Sequence, residues 1–71
     1  FPNPARENIN IRGEEIIEEV IIRDMNGQVV FANTFNTNQV RINVVDFKEG
    51  IYFVQTKMNS KFITSKIVKS N

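Results

Sequence analysis

The sequence predicts an all-β fold, a small antiparallel sandwich or barrel, and three observations carry that expectation. β-Branched and aromatic residues gather in about six short runs, with turn signals roughly every 8–12 residues. The clearest runs alternate apolar and polar residues, which is the period of a half-buried strand. With 71 residues, 41% hydrophobic and 24% charged, the chain has the balance of one small globular domain rather than of a disordered tail. A domain this short buries roughly 60% of its unfolded surface, so its core is thin and a deep substrate pocket has little room.

Residues 1–71 read as a single domain, with residues 1–7 as a linker or entry segment. Phe1-Pro2-Asn3-Pro4 is stiff and extended, because each proline fixes φ and biases the residue before it toward β or polyproline II. Asn8-Ile9-Asn10-Ile11-Arg12 alternates as a short strand, which Gly13 is expected to end. From Glu14 to Asp24 two readings compete. Ile16, Ile17, Val20 and Ile21 have helical spacing. The apolar residues from Ile16 to Ile22 are all β-branched, however, and the segment runs into the turn sequence Asp24-Met25-Asn26-Gly27. A strand is the better reading, closed by a type I turn with Gly27 in the left-handed region.

Gln28-Val29-Val30-Phe31 resumes with strand formers, and Asn33, Asn36 and Asn38 punctuate the stretch after it. Val40, Ile42 and Val44 alternate with Arg41 and Asn43 as an amphipathic strand. Asp46 to Gly50 is a connection anchored by Phe47. Ile51 to Lys57 is the most strand-like run, Asn59-Ser60 makes a hairpin tip, and Lys61 to Lys69 is the last strand. The expected core is Val20, Ile22, Val30, Ile42, Val44, Phe47, Tyr52 and Val54. Gly27 and Gly50 are expected to have positive φ.

The chemistry available is narrow. There is no Cys and no His, which removes disulfides, thiolate zinc sites, thiol nucleophiles and the usual neutral-pH base. Neither a catalytic constellation nor a cofactor is implied. Glu14-Glu15 and Glu18-Glu19 lie side by side on one stretch, whereas acid/base pairs face each other across a cleft, so they read as a solvated face. Asp24 and Asn26 before Gly27 lack the further acidic ligands of a calcium loop, so no metal is expected there. The net charge of +1 does not suggest a nucleic-acid partner, and no apolar run approaches the roughly 20 residues of a transmembrane helix. Charge is nonetheless uneven: residues 1–35 carry six acids and three bases, residues 36–71 two acids and six bases. Beyond Glu49 every charge is a lysine, Lys57, Lys61, Lys66 and Lys69, suited to an acidic partner or to guarding an edge strand.

Several features fall in one order: Phe1-Pro2-Asn3-Pro4-Ala5, then Val20 to Val30 around Asp24-Met25-Asn26-Gly27, then Gly50-Ile51-Tyr52-Phe53-Val54, then Lys66-Ile67-Val68-Lys69. Together they resemble the type A C-terminal sorting domain of the type IX (Por) secretion system of Bacteroidetes, across essentially the whole chain. The resemblance implies a small immunoglobulin-like antiparallel β-sandwich of about six or seven short strands. It implies a non-enzymatic signal, joined to an N-terminal cargo domain, that directs the cargo through the periplasm and across the outer membrane to the surface or medium. The implied partners are the type IX translocon, outer-membrane shuttle proteins and a surface sortase that removes the domain. Translocon recognition then maps onto Lys66, Ile67, Val68 and Lys69. The family motif maps onto Pro2, Asn3, Pro4, Asp24, Gly27, Gly50 and Tyr52. Arg23 departs from the pattern, standing where many members have an aromatic. The last strand is expected to fray, with Lys66 and Lys69 exposed. The alternative is an accessory carbohydrate-binding or adhesive module, which needs an aromatic platform that six Phe, one Tyr and no Trp at core-like positions do not supply.

Overall fold

In the computed structural model, which describes residues 4–70, the run of β-branched residues before the Asp24 turn forms a strand, and the described residues contain no helix. Four strands form one antiparallel sheet: β1 (Asn8–Asp24), β2 (Val29–Asn43), β3 (Gly50–Met58) and β4 (Lys61–Lys69). Their spatial order is β2-β1-β3-β4, so β1 is central and the β2–β3 connection crosses to its other side. Pro2 and Asn3 lie outside the described residues.

Four strands in one sheet replace the six or seven short strands expected. Two of the expected segments, Asn8 to Arg12 and Glu14 to Asp24, are the halves of the single strand β1. The segments at Val29-Val30-Phe31 and Val40 to Asn43 are the ends of the single strand β2. It passes through Asn33, Asn36 and Asn38 without the turns expected there, because pairing with β1 outweighs the turn preference of asparagine. Gly13 does not end β1. Gly13 is buried at an irregularity in the β1–β2 ladder between Arg12 and Ile17. A β-carbon there would collide with the Met58 sulfur and stand 2.9 Å from the Glu15 carbonyl oxygen. Glycine thus marks a close backbone approach inside the strand, not its end.

A second irregularity, between Ile17 and Glu19, interrupts both the β1–β2 and the β1–β3 ladders. Side chains alternate faces along a strand, so an extra residue moves the buried face by one position. Ile9, Ile11 and Ile17 are buried before it, and Val20 and Ile22 after it. Both halves of β1 feed one core, together with Ala5, Val40, Ile42, Val44, Tyr52, Val54 and Ile67. A flat sheet leaves both faces to water, so near-complete burial of all these side chains requires the long β1–β2 hairpin to bend over the rest of the sheet. Two backbone hydrogen bonds fasten the segment ahead of β1: Ala5 N–H donates to the Val68 carbonyl at 2.8 Å on β4, and Val44 N–H donates to the Glu7 carbonyl at 2.8 Å, extending the β1–β2 ladder by one pair.

The expected core holds for Val20, Ile22, Ile42, Val44, Tyr52 and Val54. Phe47 is only partly buried against it. Val30 is a correction: it is 41% exposed. Ile22 faces Phe31 and Arg23 faces Val29, so Val30 is the extra residue of a bulge and Phe31 takes the inward position. The β3–β4 hairpin closes as expected on Asn59 and Ser60, both at positive φ (50° and 64°), the pattern of a type I′ turn.

Candidate functional site

β4 carries the residues expected to be recognised, and the structure divides them. Its side chains alternate, so Ile67 and Lys69 face inward while Lys66 and Val68 face outward. Ile67 is 1% exposed and lies opposite Tyr52 in the β3–β4 register. Lys69 is 2% exposed and its Nζ donates to the Ser70 carbonyl at 3.1 Å. The expectation of an exposed Lys69 on a frayed end is therefore corrected. The end is tied down, because Ala5 forms a parallel bridge with Lys69 and the Ser70 N–H donates to the Ala5 carbonyl at 2.9 Å. Lys66 is exposed as expected, and Val68 is 37% exposed.

The other motif residues described have local structural work. The Asp24 carboxylate oxygen Oδ1 accepts from the Asn26 and Gln28 N–H groups at 2.9 and 3.0 Å. Gly27 N–H donates to the Asp24 carbonyl at 3.0 Å, and Asp24 N–H to the Gln28 carbonyl at 2.9 Å. With Gly27 at φ 83°, this is the glycine-closed turn that the sequence predicts. Arg23, beside it, donates to the Gln55 side chain on β3. Gly50 has φ 150° and leads the chain from the connection into β3. Two residues on, the Tyr52 hydroxyl donates to the Lys48 carbonyl at 2.7 Å and its ring packs 5.2 Å from that of Phe47. Burial first, and the Asp24 charge second, raise the Tyr52 hydroxyl above its ordinary pKa. Pro4 is exposed just ahead of Ala5.

Alanine at Gly27 or Gly50 has space for its β-carbon but not a favourable backbone, since both φ values lie where L-residues are strained. Gly27→Ala and Gly50→Ala are each expected to destabilise by more than about 1 kcal/mol, lowering the melting temperature by roughly 4–8 °C. Calorimetry checks this, and two variants that melt like the parent would reject the turn assignment.

The glutamates do not converge. Glu14 and Glu15 are exposed, and Glu18 accepts from the Ser60 N–H at 3.4 Å. Among the described residues no three acidic side chains gather where they could hold a metal ion. No described helix is long and apolar enough to cross a membrane. A groove of about 440 Å³ on the β1–β2 hairpin is lined by Asn10, Arg12, Gln39 and Arg41 with two apolar neighbours, and holds no acid–base pair.

A second groove, of about 480 Å³, opens beside the β3–β4 turn, where Phe62 and Ile63 are 50% and 53% exposed. This exposed pair was missed by sequence reasoning. The available signal was that two adjacent apolar residues in one strand must face opposite sides, so one of them leaves the core.

The family model of a secretion system C-terminal sorting domain matches residues 1–70, essentially the whole chain. No curated protein and no solved structure matches it.

Proposed function

Since the chain belongs to the family of secretion system C-terminal sorting domains, we propose that it works as a folded, non-enzymatic export signal for a cargo joined at its N-terminal side. The single observation that carries this reading is the match of the family model over residues 1–70. Membership implies interaction with the type IX secretion machinery and a secreted or cell-surface protein. Finer steps belong to the proposal: passage through the periplasm, recognition by the translocon and its outer-membrane shuttle proteins, and removal by a surface sortase. The bent hairpin, in this reading, gives one sheet the two-layer character of a small immunoglobulin-like sandwich.

Within Lys66 to Lys69 the burial pattern suggests a division of labour. Ile67 and Lys69 hold the strand in place, and Lys66 and Val68 present the outward side chains that a receptor can touch. The accessory-module alternative lacks its aromatic platform, since Tyr52 is buried, Phe31, Phe35 and Phe47 pack against the core, and the half-exposed Phe62 is one ring rather than a stacking surface.

The test uses a carrier protein with an N-terminal signal peptide, fused ahead of the complete domain, in a Bacteroidetes host with an intact translocon. The readout is the ratio of surface and medium carrier to periplasmic carrier. Lys66→Glu combined with Val68→Asn is expected to lower that ratio while the purified domain stays folded, because surface substitutions usually change stability by under about 0.5 kcal/mol. Undiminished export of this variant would remove Lys66 and Val68 from the recognition surface. Failure of the parent domain to export the carrier would overturn the sorting-signal reading itself.

A further inference from the structure

The backbone of β4 is bonded on one side to β3 along its whole length, from Met58 opposite Lys61 to Gly50 opposite Lys69. Its other side is the outer edge of the sheet. The groups that point outward are identified by the Ala5 contact: the Val68 carbonyl accepts from Ala5, and the Ser70 N–H donates to it. Outward backbone groups recur every second residue, so Phe62, Thr64 and Lys66 also turn their N–H and C=O groups away from β3. Among the described residues, the bridge to Ala5 is made at Lys69, and none pairs with this edge between Lys61 and Lys66.

Side chains along the same stretch are suited to holding an added strand. Ile63 belongs to the inward face with Ile67, yet it is half exposed, because a groove opens there whose wall also carries Gly13, Met58 and the charged Arg12, Glu14, Glu15 and Lys61. The acidic residues of an added strand are therefore placed toward the lysines and away from Glu14 and Glu15. On the outer face Phe62 is half exposed and lies under Lys57, whose Nζ is 5.9 Å from the ring centre. Every charge on β4 is positive, and Lys61 and Lys66 bracket the open edge and are themselves exposed.

We propose that the outer edge of β4 from Lys61 to Lys66 is a strand-addition site for an extended acidic segment of a partner protein. Its backbone bonds to Phe62, Thr64 and Lys66, and one of its apolar side chains covers Ile63 and Met58. Acidic residues on the outer face of that segment meet Lys66 and Lys57, and one at the inward-facing end meets Lys61, which lies on the face of Ile63; this also sets the choice of partner. A second copy of this chain is a poorer occupant, since pairing the edge with itself brings four lysines together with no carboxylate on either strand. The inference deepens the export reading by assigning the partner's chemistry, and it depends on that reading only for which machinery supplies the strand.

The experiment is an NMR titration of the isotope-labelled domain with an end-capped heptapeptide alternating Asp and Val, and with a twin carrying Lys in place of Asp. The acidic peptide is expected to shift and protect the amides of Phe62, Thr64 and Lys66, and to bind at least tenfold more tightly than its twin. Thr64→Pro removes one outward N–H while leaving the β3 ladder untouched, as an edge position tolerates. It is expected to keep the parent spectrum elsewhere and to weaken binding at least tenfold. Should Thr64→Pro fail to fold, Lys61→Glu with Lys66→Glu serves instead, and is expected to invert the preference between the two peptides. Equal binding of the two peptides, shifts confined to β2, self-association of the free domain along β4, or no binding would each overturn the proposal, the last leaving the lysines as guards of the edge. Because no secretion machinery is present, failure here leaves the export reading standing, whereas failed export with intact peptide binding removes only the export reading.

Discussion

Ile67→Ala is expected to destabilise the domain by about 2–5 kcal/mol, the range for emptying a fully buried isoleucine site. Ile67 is among the largest fully buried side chains, faces Tyr52 across the β3–β4 ladder, and is followed directly by Val68, Lys69 and Ser70, which bond to Ala5 or bridge it. The cavity cannot collapse easily, because Ala5 fixes the chain on one side and β3 on the other. In a domain of this size each kcal/mol lowers the melting temperature by roughly 4–8 °C, so the loss exceeds about 8 °C. Urea denaturation with an unchanged slope is the check. A loss below about 1 kcal/mol would mean that the C-terminal strand frays, as the sequence alone suggests. The same burial bears on export. Deleting Lys66 to Asn71 removes a core side chain together with the outward ones, so trapped cargo after that deletion reflects unfolding as well as lost recognition. Only substitutions at outward positions separate the two.

Tyr52→Ala is the second large effect, expected near 3–5 kcal/mol as for other buried aromatic truncations. Tyr52 joins three things: the core, the Phe47 ring at 5.2 Å and the Lys48 carbonyl at 2.7 Å. Tyr52→Phe keeps the first two and loses the third. Lys48 is exposed, so its carbonyl can turn to water, and the cost falls to about 1 kcal/mol. The hydroxyl also has a pH signature. Its pKa is raised above 10.0 in the folded chain, by burial and then by Asp24, so the native state keeps its proton to higher pH than the unfolded state does. Its contribution is therefore fully present below pH 10.0 and is lost as pH rises through the folded pKa. Urea midpoints measured from roughly pH 8 to 11 should fall more steeply for the parent than for Tyr52→Phe. Parallel curves would reject the assignment.

The ambiguity between helix and strand from Ile16 to Ile22 has a physical origin in the irregularity of β1. Ile17 and Val20 are both buried although three residues apart, because the ladder slips between Ile17 and Glu19. That spacing imitates the helical period, and only the β-branched composition points the other way. Val30 illustrates the converse. A regular hairpin turns it inward, but one extra residue opposite the Ile22–Arg23 step hands its place to Phe31.

The motif residues were legible for a related reason. Asp24, Gly27, Gly50 and Tyr52 act through contacts with residues a few positions away, such as Asn26, Gln28 and Lys48. Their chemistry is contained in short stretches of sequence. The grip of Ala5 on Val68 and Ser70 spans nearly the entire chain and has no local signal, and it decides whether Lys69 is a surface charge or a buried one.

The amino-acid sequence by itself determined the all-β class, the turns at Asp24–Gly27 and Asn59–Ser60, the left-handed glycines and the family, but not the continuity of β2 through Asn33, Asn36 and Asn38. Each rests on local steric preference, side-chain period or the order of short motifs. Tertiary structure alone decided how many continuous strands those segments make and which face each presents, because a bulge inverts the inward set without changing the pattern on either side of it. It also decided which residues of the last strand are buried and which are offered outward. Burial depends on what the rest of the chain lays against the strand, and here that is the bent β1–β2 hairpin and the Ala5 bridge.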